Sequence, residues 1–328
     1  MKKPGFRFTI VALFALAAAP VGTAAQAQSY PNHPITAIVP FAGGSASDVV
    51  TRILLDRMSR SMGQPIIVEN RPGAGGNIGT AAVARAEPDG YTLLGGGSGP
   101  VAANKSLYQH LGYDPETDFE TISPFAAFTI VVVASKTLPV DNLQELIAYA
   151  KAHPGQLNYG SVGVGSSQHL AGEYFGQVTG VKITHVPYRN IAQYGPDLIA
   201  GAVPLGFQWY PNVSFALQAK GAKALAVAGA NRLEALPDAP TTKEAGLPEY
   251  VVSGWFALLA PKGTPAAIVE KLNSELAAAV ADPDVRAKFA LQGAEAMSLP
   301  PDQAKRFISD EIKKYHDIVT KAGVPQIE

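Results

Sequence analysis

The fold is decided by one stretch of the chain, Leu157-Asn158-Tyr159-Gly160-Ser161-Val162-Gly163-Val164-Gly165-Ser166-Ser167-Gln168-His169. A short apolar segment enters a run of glycine and serine, and Leu170, Tyr174 and Phe175 then follow at helical spacing. The first N–H groups of a helix lack internal partners, and the aligned peptide dipoles place partial positive charge there. Such a helix start binds an anion without any basic side chain. The stretch therefore predicts a loop that holds a carboxylate.

Composition limits the kinds of protein that this chain can be. Of its 328 residues, 47% are hydrophobic and 16% are charged, which is enough for a buried core and for two compact units. The formal net charge is −1, so no basic field indicates binding to nucleic acid. Cysteine is absent, which excludes disulfides, thiolate chemistry and a cysteine-linked lipid anchor.

Residues 1–27 have the pattern of a secretory signal peptide. Basic residues precede an apolar run at 8–19 that is too short to span a bilayer as a helix. Ala25-Gln26-Ala27 fits a small-x-small cleavage site, so we predict export to the periplasm with cleavage near Ala27. The alternative is an uncleaved membrane anchor. No later apolar run in the sequence approaches membrane length.

Glycine-rich loops follow several predicted strands in the first part of the chain. A strand at 35–41 leads into Ala42-Gly43-Gly44-Ser45-Ala46-Ser47-Asp48 and then into a helix. Strands at 64–69 and 91–94 are also followed by glycine loops. Such units in succession predict parallel βαβ topology, in which ligands bind beyond the carboxyl ends of the strands.

Later parts of the chain alternate apolar strands with amphipathic helices. A fully apolar strand is predicted at 128–134, after an irregular segment at 118–123. Two amphipathic helices, at 265–280 and 301–322, are predicted to close the chain.

Segments 35–58 and 157–178 share the plan of strand, Gly/Ser loop and helix. We interpret them as matching units of two α/β lobes, the first built from 28–130 and 250–328 and the second from 131–249. Two crossings between the lobes would make a hinge, and the cleft between the lobes is the predicted site. The predicted fold class is therefore α/β, with two lobes and an inter-lobe ligand cleft.

Ser166, Ser167 and His169 also permit other interpretations. A hydrolase would need a G-x-S-x-G elbow, and neither Gly163-Val164-Gly165-Ser166-Ser167 nor Gly97-Ser98-Gly99 completes it. His169 follows Ser167 by two residues, and side chains at i and i+2 of a helix do not face each other. The serines could instead only cap the helix. The nucleotide motifs are incomplete or absent, and the histidines show no metal-ligand spacing, so we predict no cofactor and no metal.

A few side chains outside the main stretch are also candidates. Ser47 or Asp48 is predicted to cap the first helix, and the carboxylate of Asp48 would contact an anionic ligand through water. Arg189 directly follows a strand end, where it could clamp a second carboxylate or form a surface ion pair. Trp255 and Phe256 are assigned to the core rather than to the cleft.

Motifs spread over nearly the whole mature chain form a recognisable set. They are Pro34-Ile35 and Val39-Pro40-Phe41-Ala42-Gly43-Gly44 with Asp48, Val68-Glu69-Asn70-Arg71-Pro72-Gly73-Ala74-Gly75-Gly76-Asn77-Ile78-Gly79, Pro88-Asp89-Gly90-Tyr91-Thr92-Leu93, the opening stretch through Leu170, Val186-Pro187-Tyr188-Arg189, and Trp255-Phe256 with Ala260-Pro261-Lys262-Gly263-Thr264-Pro265. In this combination the chain resembles the periplasmic solute-binding proteins of tripartite tricarboxylate transporters, also called the Bug receptors.

The resemblance implies a type II periplasmic binding fold whose lobes close on a carboxylate, commonly a small dicarboxylate. It also implies a receptor rather than an enzyme, which delivers its ligand to membrane permease subunits. We further predict a monomer. Residues 41–48 and 161–169, called loop 41–48 and loop 161–169 below, would form the clamp. The predicted ligand-binding residues are Phe41, Gly43, Gly44, Ser45, Ser47, Asp48, Ser98, Ser161, Gly165, Ser166, Ser167, His169, Tyr188, Arg189 and Gln208.

The predicted second lobe departs from the family pattern. Asn190 and Ile191 stand where the family usually has small, glycine-like residues, and Gln208-Trp209-Tyr210 is bulky and aromatic. We therefore hypothesise an aromatic dicarboxylate ligand such as terephthalate, stacked on Tyr188 or Trp209. Alternative functions are a periplasmic ester hydrolase and a ligand sensor that docks on a signalling kinase.

Overall fold

The structure is a computed structural model that describes residues 1, 2, 5, 30–321, 324 and 326–328. The predicted signal peptide, with its cleavage site near Ala27, lies almost wholly outside these described residues and stays a prediction. No helix in the described part of the chain is long and apolar enough to cross a membrane.

Strands and helices alternate along most of the described chain. The strands are β1 (Ile35–Val39), β2 (Ile66–Asn70), β3 (Thr92–Gly97), β4 (Phe119–Thr129), β5 (Val131–Ser135), β6 (Leu157–Ser161), β7 (Ile183–Pro187), β8 (Leu205–Gln208), β9 (Ala222–Val227), β10 (Ser253–Pro261) and β11 (Ala294–Ala296). The helices are α1 (Ala46–Met62), α2 (Asn77–Ala84), α3 (Asn104–Leu107), α4 (Leu143–Ala152), α5 (Ser167–Thr179), α6 (Tyr194–Ala200), α7 (Tyr210–Gln218), α8 (Ala266–Ala281), α9 (Pro283–Leu291) and α10 (Pro301–Lys321).

The first sheet has six strands in the order β11-β4-β10-β3-β1-β2. β1 pairs in parallel with both β2 and β3, so the predicted parallel units are confirmed. β10 pairs antiparallel with β3 and with β4. Because β1 and β2 run in the same direction, the loops that follow them leave from the same edge of the sheet.

The second sheet has five strands in the order β7-β6-β8-β5-β9. β6 pairs in parallel with β7 and β8, whereas β5 is antiparallel to its two neighbours. The chain enters this sheet at β5 and returns to the first sheet at β10. An α/β architecture with two sheets and two crossings is thus confirmed, while the exact lobe boundaries at 131 and 249 stay predictions.

The segment before the first crossing differs from its prediction. β4 covers Phe119–Thr129, so the segment predicted as irregular at 118–123 is a strand. The strand contains Pro124, which cannot donate a backbone hydrogen bond, and its pairing with β10 shifts register twice, once beside this proline. These bulges break the alternating pattern. The single strand predicted at 128–134 is also wrong, because β4 ends at Thr129 and β5 begins at Val131 in the other sheet.

Helix starts differ from the predictions as well. Ser45 caps α1, with an extended backbone and a side-chain oxygen that accepts from the N–H of Asp48 at 3.5 Å. Neither Ser47 nor Asp48 is therefore the cap. The sequence did not predict α9, which is short and lacks a clear apolar face, although Asp282 caps it with Pro283 at its first position.

Trp255 and Phe256 belong to the core, as predicted, with 3% and 0% of their surface exposed. Trp255 packs in a cluster with residues of α10 such as Ile308 and Tyr315, and its indole N–H donates to Glu311 Oε2 at 2.7 Å. α10 thus covers one face of the first sheet and leaves the loops at its edge free to build a site.

Candidate functional site

Loops that follow parallel strands of both sheets line one cavity of about 710 Å³. Phe41 and Ser45 belong to the loop after β1, and Val162 and Val164 belong to the loop after β6. The loops after β2 and β7 complete much of the wall. The full lining is Phe41, Ala42, Ser45, Pro72, Gly73, Ala74, Gly75, Gly76, Ile78, Tyr108, Val162, Gly163, Val164, Pro187, Tyr188, Arg189, Ile191, Ile327 and Glu328. Loop 41–48 and loop 161–169 therefore face a shared crevice.

Loop 41–48 ends in the N-terminus of α1. The backbone of Gly44 has a φ of 78°, a conformation that favours glycine, and this lets the chain turn sharply into the helix. Ser45 caps the helix and its hydroxyl lies 2.8 Å from that of Ser47, so both hydroxyls are committed within the turn. Phe41 and Ser45 line the cavity, whereas Gly43 and Gly44 are exposed and absent from its lining.

Asp48 braces this loop from inside. Its carboxylate accepts hydrogen bonds from the N–H of Gly44 at 2.9 Å, from Arg52 Nε at 2.8 Å and from Asn70 Nδ2 at 2.9 Å. Burial acts to raise the pKa of Asp48, but the hydrogen bonds from Arg52, Gly44 and Asn70 outweigh it and hold the pKa below its usual value. Asn70 Nδ2 also donates to the carbonyl of Phe41 at 3.0 Å. The charged brace therefore fixes both ends of the turn.

Loop 161–169 has the same plan and ends in the N-terminus of α5. Ser166 caps the helix, accepting from the N–H of His169 at 3.3 Å, and its hydroxyl donates to the carbonyl of Gly163 at 2.7 Å. Ser161 Oγ bonds both the carbonyl and the N–H of Gly163 at 3.0 Å. These hydroxyls hold the loop, and Val162, Gly163 and Val164 line the cavity.

His169 anchors the loop through a buried cluster. Its Nδ1 accepts from the N–H of Gly165 at 3.2 Å, and its ring lies 4.1 Å from that of His185 on β7. His185 Nε2 is 2.6 Å from Ser161 Oγ. Burial lowers the pKa of His169, although Glu173 acts to raise it, and burial together with His169 lowers the pKa of His185 to about 3. Both rings are therefore neutral near pH 7 and serve as hydrogen-bonding supports.

Two predicted serines form a contact between parts of the molecule that are far apart in sequence. Ser98 Oγ and Ser167 Oγ are 2.7 Å apart, and Ser98 Oγ also accepts from the N–H of Trp255 at 3.4 Å. Both side chains are buried and neither belongs to the cavity lining. Because Ser98 follows β3 and Ser167 begins α5, this pair joins the two sheets rather than the cavity wall.

Close backbone approach marks the same contact region. A Cβ on Gly75 would lie 2.2 Å from the carbonyl oxygen of Val164, and a Cβ on Gly165 would lie 2.2 Å from Asn104 Oδ1. Tyr108 OH donates to the carbonyl of Val164 at 3.4 Å. Loop 161–169 thus meets the loop after β2 and the start of α3 through glycine backbone, and a side chain at either glycine would hold these segments apart.

The wall contributed by the second sheet contains one of the predicted aromatic residues. Tyr188 lines the cavity and donates to Asp197 Oδ2 at 2.6 Å. Arg189 lines the cavity beside it, is exposed, and makes no ion pair in the described part of the chain. A cation without a carboxylate partner is available to an anionic ligand.

Gln208 and Trp209 lie behind the wall. Gln208 Nε2 donates to the carbonyl of Gly160 at 2.7 Å, and its Oε1 accepts from Asn212 Nδ2 at 3.0 Å. Trp209 is 5% exposed and packs with Phe128 and Phe256 at ring distances of 5.2 Å and 5.0 Å. Neither residue lines the cavity, so the proposed stacking on Trp209 has no geometric basis, and Tyr188 is the aromatic candidate that remains.

The structure adds cavity residues that the sequence reasoning did not single out, above all Ile78, Tyr108 and Ile327. Tyr108 and Ile327 reach the cavity by pairing with each other over a long sequence distance, whereas Ile78 lies in a glycine-rich motif that the sequence analysis quotes without assigning it to the site. Within the described residues, no group of His, Asp and Glu side chains is arranged to hold a metal ion.

Comparisons with known proteins agree with this geometry. The family model of the tripartite tricarboxylate transporter family receptor matches residues 50–324. The chain is 37% identical over 315 residues to protein BugT of Bordetella pertussis, a match that covers 96% of each chain.

Two solved structures have similar folds. R. palustris Rpa4515 with adipate is 36% identical, with a TM-score of 0.87 over 91% of this chain and 100% of that one. MatC (Rpa3494) from Rhodopseudomonas palustris with bound malate is 33% identical, with a TM-score of 0.81 over 88% of this chain and 100% of that one. The protein is therefore a periplasmic solute-binding receptor rather than an enzyme, and it belongs to the tripartite tricarboxylate transporter receptor family that includes the Bug proteins.

Proposed function

We propose that this receptor captures a dicarboxylate in the 710 Å³ cavity and delivers it to the membrane permease subunits of a tripartite tricarboxylate-type transporter. The observation that carries the proposal is that loop 41–48 and loop 161–169, each ending in a serine-capped helix, line one cavity. Each loop leads into the N-terminus of a helix, and a helix N-terminus favours an anion beside it. The side-chain oxygens of Ser45, Asp48 and Ser166 already accept hydrogen bonds within their loops. We therefore expect other main-chain N–H groups and ordered water to donate hydrogen bonds to the ligand carboxylate.

The second carboxylate is assigned to Arg189. The guanidinium can bind a carboxylate through two parallel hydrogen bonds, and it lies on the wall formed by the second sheet. Apolar side chains such as Ile78, Val162 and Ile191 line the space between the charged regions. This arrangement fits a diacid with a hydrocarbon centre, as in adipate, which is bound by the similar Rpa4515.

An aromatic diacid such as terephthalate remains our specific proposal for the ligand. Tyr188 lines the cavity, and a ring of a bound ligand could pack against it in an offset or edge-to-face arrangement. The hydroxyl of Tyr188 is held by Asp197, so the ring has a fixed orientation. A fixed aromatic wall favours a flat ligand because little conformational entropy is lost there on binding.

Closure of two lobes is proposed as the step that commits the ligand. The first lobe would comprise 28–130 and 250–328 and the second 131–249, with hinges at the crossings near Ile130 and before β10. A ligand that contacts loops of both lobes shifts the population toward the closed form. The closed monomer would then be presented to the permease, after removal of a signal peptide at residues 1–27.

Calorimetric titration tests the proposal. Malate, adipate and terephthalate serve as diacids, with hexanoate and benzoate as matched monoacids. We expect at least one diacid to bind, about ten-fold or more tighter than its monoacid partner, because a charged hydrogen-bonded contact is worth roughly 1.5–3 kcal/mol. Arg189→Gln should remove this difference, while Arg60→Gln, at an exposed ion pair on α1, should not. Equal binding of diacids and monoacids by the wild-type protein would overturn the proposal.

A further inference from the structure

A short segment near the end of the chain contacts the ligand cavity. Residues 326–328, called the strap below, pair with a segment that is distant in sequence. The N–H of Ile327 donates to the carbonyl of Leu107 at 2.7 Å, and the N–H of Gln109 donates to the carbonyl of Ile327 at 3.0 Å. Gln326 Nε2 also donates to the carbonyl of Ser106 at 3.3 Å. The strap is therefore fixed by backbone hydrogen bonds on both sides of Ile327.

Ile327 is placed to touch both the core and the cavity. It is half-buried, packs against the apolar cluster of the first sheet together with Leu111, and lines the 710 Å³ cavity. Its bridge partner Tyr108 also lines the cavity, and the hydroxyl of Tyr108 reaches the carbonyl of Val164 on loop 161–169. Ile327, Tyr108 and Val164 thus form one continuous section of wall.

This section of wall has little freedom to adapt. Isoleucine is branched at Cβ, so its side chain has few rotamers, and its backbone is held by hydrogen bonds on both sides. A ligand that extends against it must fit the space present or displace the strap from its partners. The hydroxyl bond of Tyr108 restricts the neighbouring ring in the same way.

We propose that Ile327 is a specificity-determining residue that limits the size of the hydrocarbon part of the diacid. The inference rests on the proposed function, since it assumes that diacids bind in this cavity. A smaller residue at 327 would open space beside Tyr108 and favour bulkier or longer diacids. A larger residue would fill that space and favour compact ones. Residues of the two helix starts would keep their contacts with the carboxylate in both cases.

The test is a calorimetric profile over straight-chain diacids from four to ten carbons, together with terephthalate. We expect Ile327→Ala to shift the optimum to longer or bulkier diacids, with a gain of about four-fold for each methylene group newly buried. Ile327→Trp should shift it to shorter diacids. Val324→Ala is the matched control, because Val324 also packs on the cluster of the first sheet but does not line the cavity, and its profile should match the wild type.

The outcomes separate this inference from the function on which it rests. If the wild-type protein shows a clear optimum that neither Ile327 variant moves relative to other diacids, only the inference is overturned. A uniform loss of affinity for every diacid would also overturn it, since that pattern indicates general destabilisation, which thermal unfolding of the same variants would reveal. If the wild type binds no diacid at all, the proposed function and the inference both fall.

Discussion

Loop 41–48 and loop 161–169 have nearly the same backbone but are held in place by different chemistry. Ser45 has φ −70° and ψ 164°, and Ser166 has φ −70° and ψ 156°, so the two helix starts are built alike. The first loop is braced by the charged carboxylate of Asp48 with Arg52 and Asn70. The second is braced by hydroxyls and by neutral His169 and His185.

The comparison shows that the geometry of the helix start, rather than a particular supporting residue, is what the two loops have in common. Each supporting group accepts a main-chain N–H of its loop, that of Gly44 for Asp48 and that of Gly165 for His169, and so holds the turn before the helix. The difference lies in how each loop responds to mutation and to pH. Two predictions concern affinity, the larger effect first, and a third concerns the pH dependence of stability.

Gly165→Ala should give the largest loss of affinity. A Cβ there would lie 2.2 Å from Oδ1 of Asn104, at the start of α3, and the backbone has a φ of 83°. We expect affinity for the best diacid to fall about 100-fold, equivalent to about 3 kcal/mol of overpacking and strain. Gly180→Ala is the control, since Gly180 has a φ of 72° but open space around a Cβ. The idea that the loops meet through glycine backbone fails if both variants bind as the wild type does.

Asp48→Asn should have an intermediate effect. The substitution keeps the shape but removes the charge that Arg52 Nε and the N–H of Gly44 bond, so loop 41–48 loses its fixed turn. We expect affinity to fall about ten-fold, or about 1.4 kcal/mol. Asp56→Asn serves as control, because Asp56 forms an exposed ion pair with Arg60 on the same helix. Equal small effects at both positions would show that the brace has no role in binding.

The pH dependence of stability, measured apart from affinity, should distinguish the two braces. The pKa of His185 falls from 6.5 to about 3 on folding, so the unfolded state binds more protons between these values and stability rises with pH across that window. The folded pKa of Asp48 lies below 3.8, so its contribution is present above that pH and is lost as pH falls through the folded pKa.

Urea unfolding between pH 3.5 and 7.5 measures this difference. His185→Gln should flatten the rise in unfolding free energy below pH 6.5, whereas Asp48→Asn should leave the slope between pH 4.5 and 6.5 unchanged. His110→Gln, at an exposed position, is the control for loss of a histidine. A wild-type slope retained in His185→Gln would contradict the assignment of a buried, neutral imidazole.

The parts of the fold that sequence could predict are those encoded locally. The apolar strand, the small-residue loop and the helix start lie within about ten residues of one another, so β1 with α1 and β6 with α5 were visible in the chain. β4 was not, because Pro124 and two register shifts hide its alternation, and its strand character comes from pairing with β10. Tertiary pairing decided that element against its local pattern.

The residues around the cavity likewise include some that local sequence could predict and some that it could not. Ser45, Phe41 and Arg189 could be chosen because they follow strand ends, and the structure places them at the cavity. Gln208 ends β8 and Trp209 follows it, but both lie behind the wall. The amide of Gln208 is bonded to the carbonyl of Gly160, and the indole of Trp209 packs between aromatic rings. No local sequence pattern marks Ile327 as a cavity residue, since its position depends on backbone pairing with a segment more than two hundred residues earlier.

A crystal structure of the receptor with its bound diacid, purified from its host without exchange of the ligand, tests the central claim most directly. The account predicts one carboxylate within hydrogen-bonding distance, directly or through a single ordered water, of main-chain N–H groups in both loop 41–48 and loop 161–169. A ligand whose carboxylates contact only one of these loops, or that lies outside the cavity between them, would contradict it.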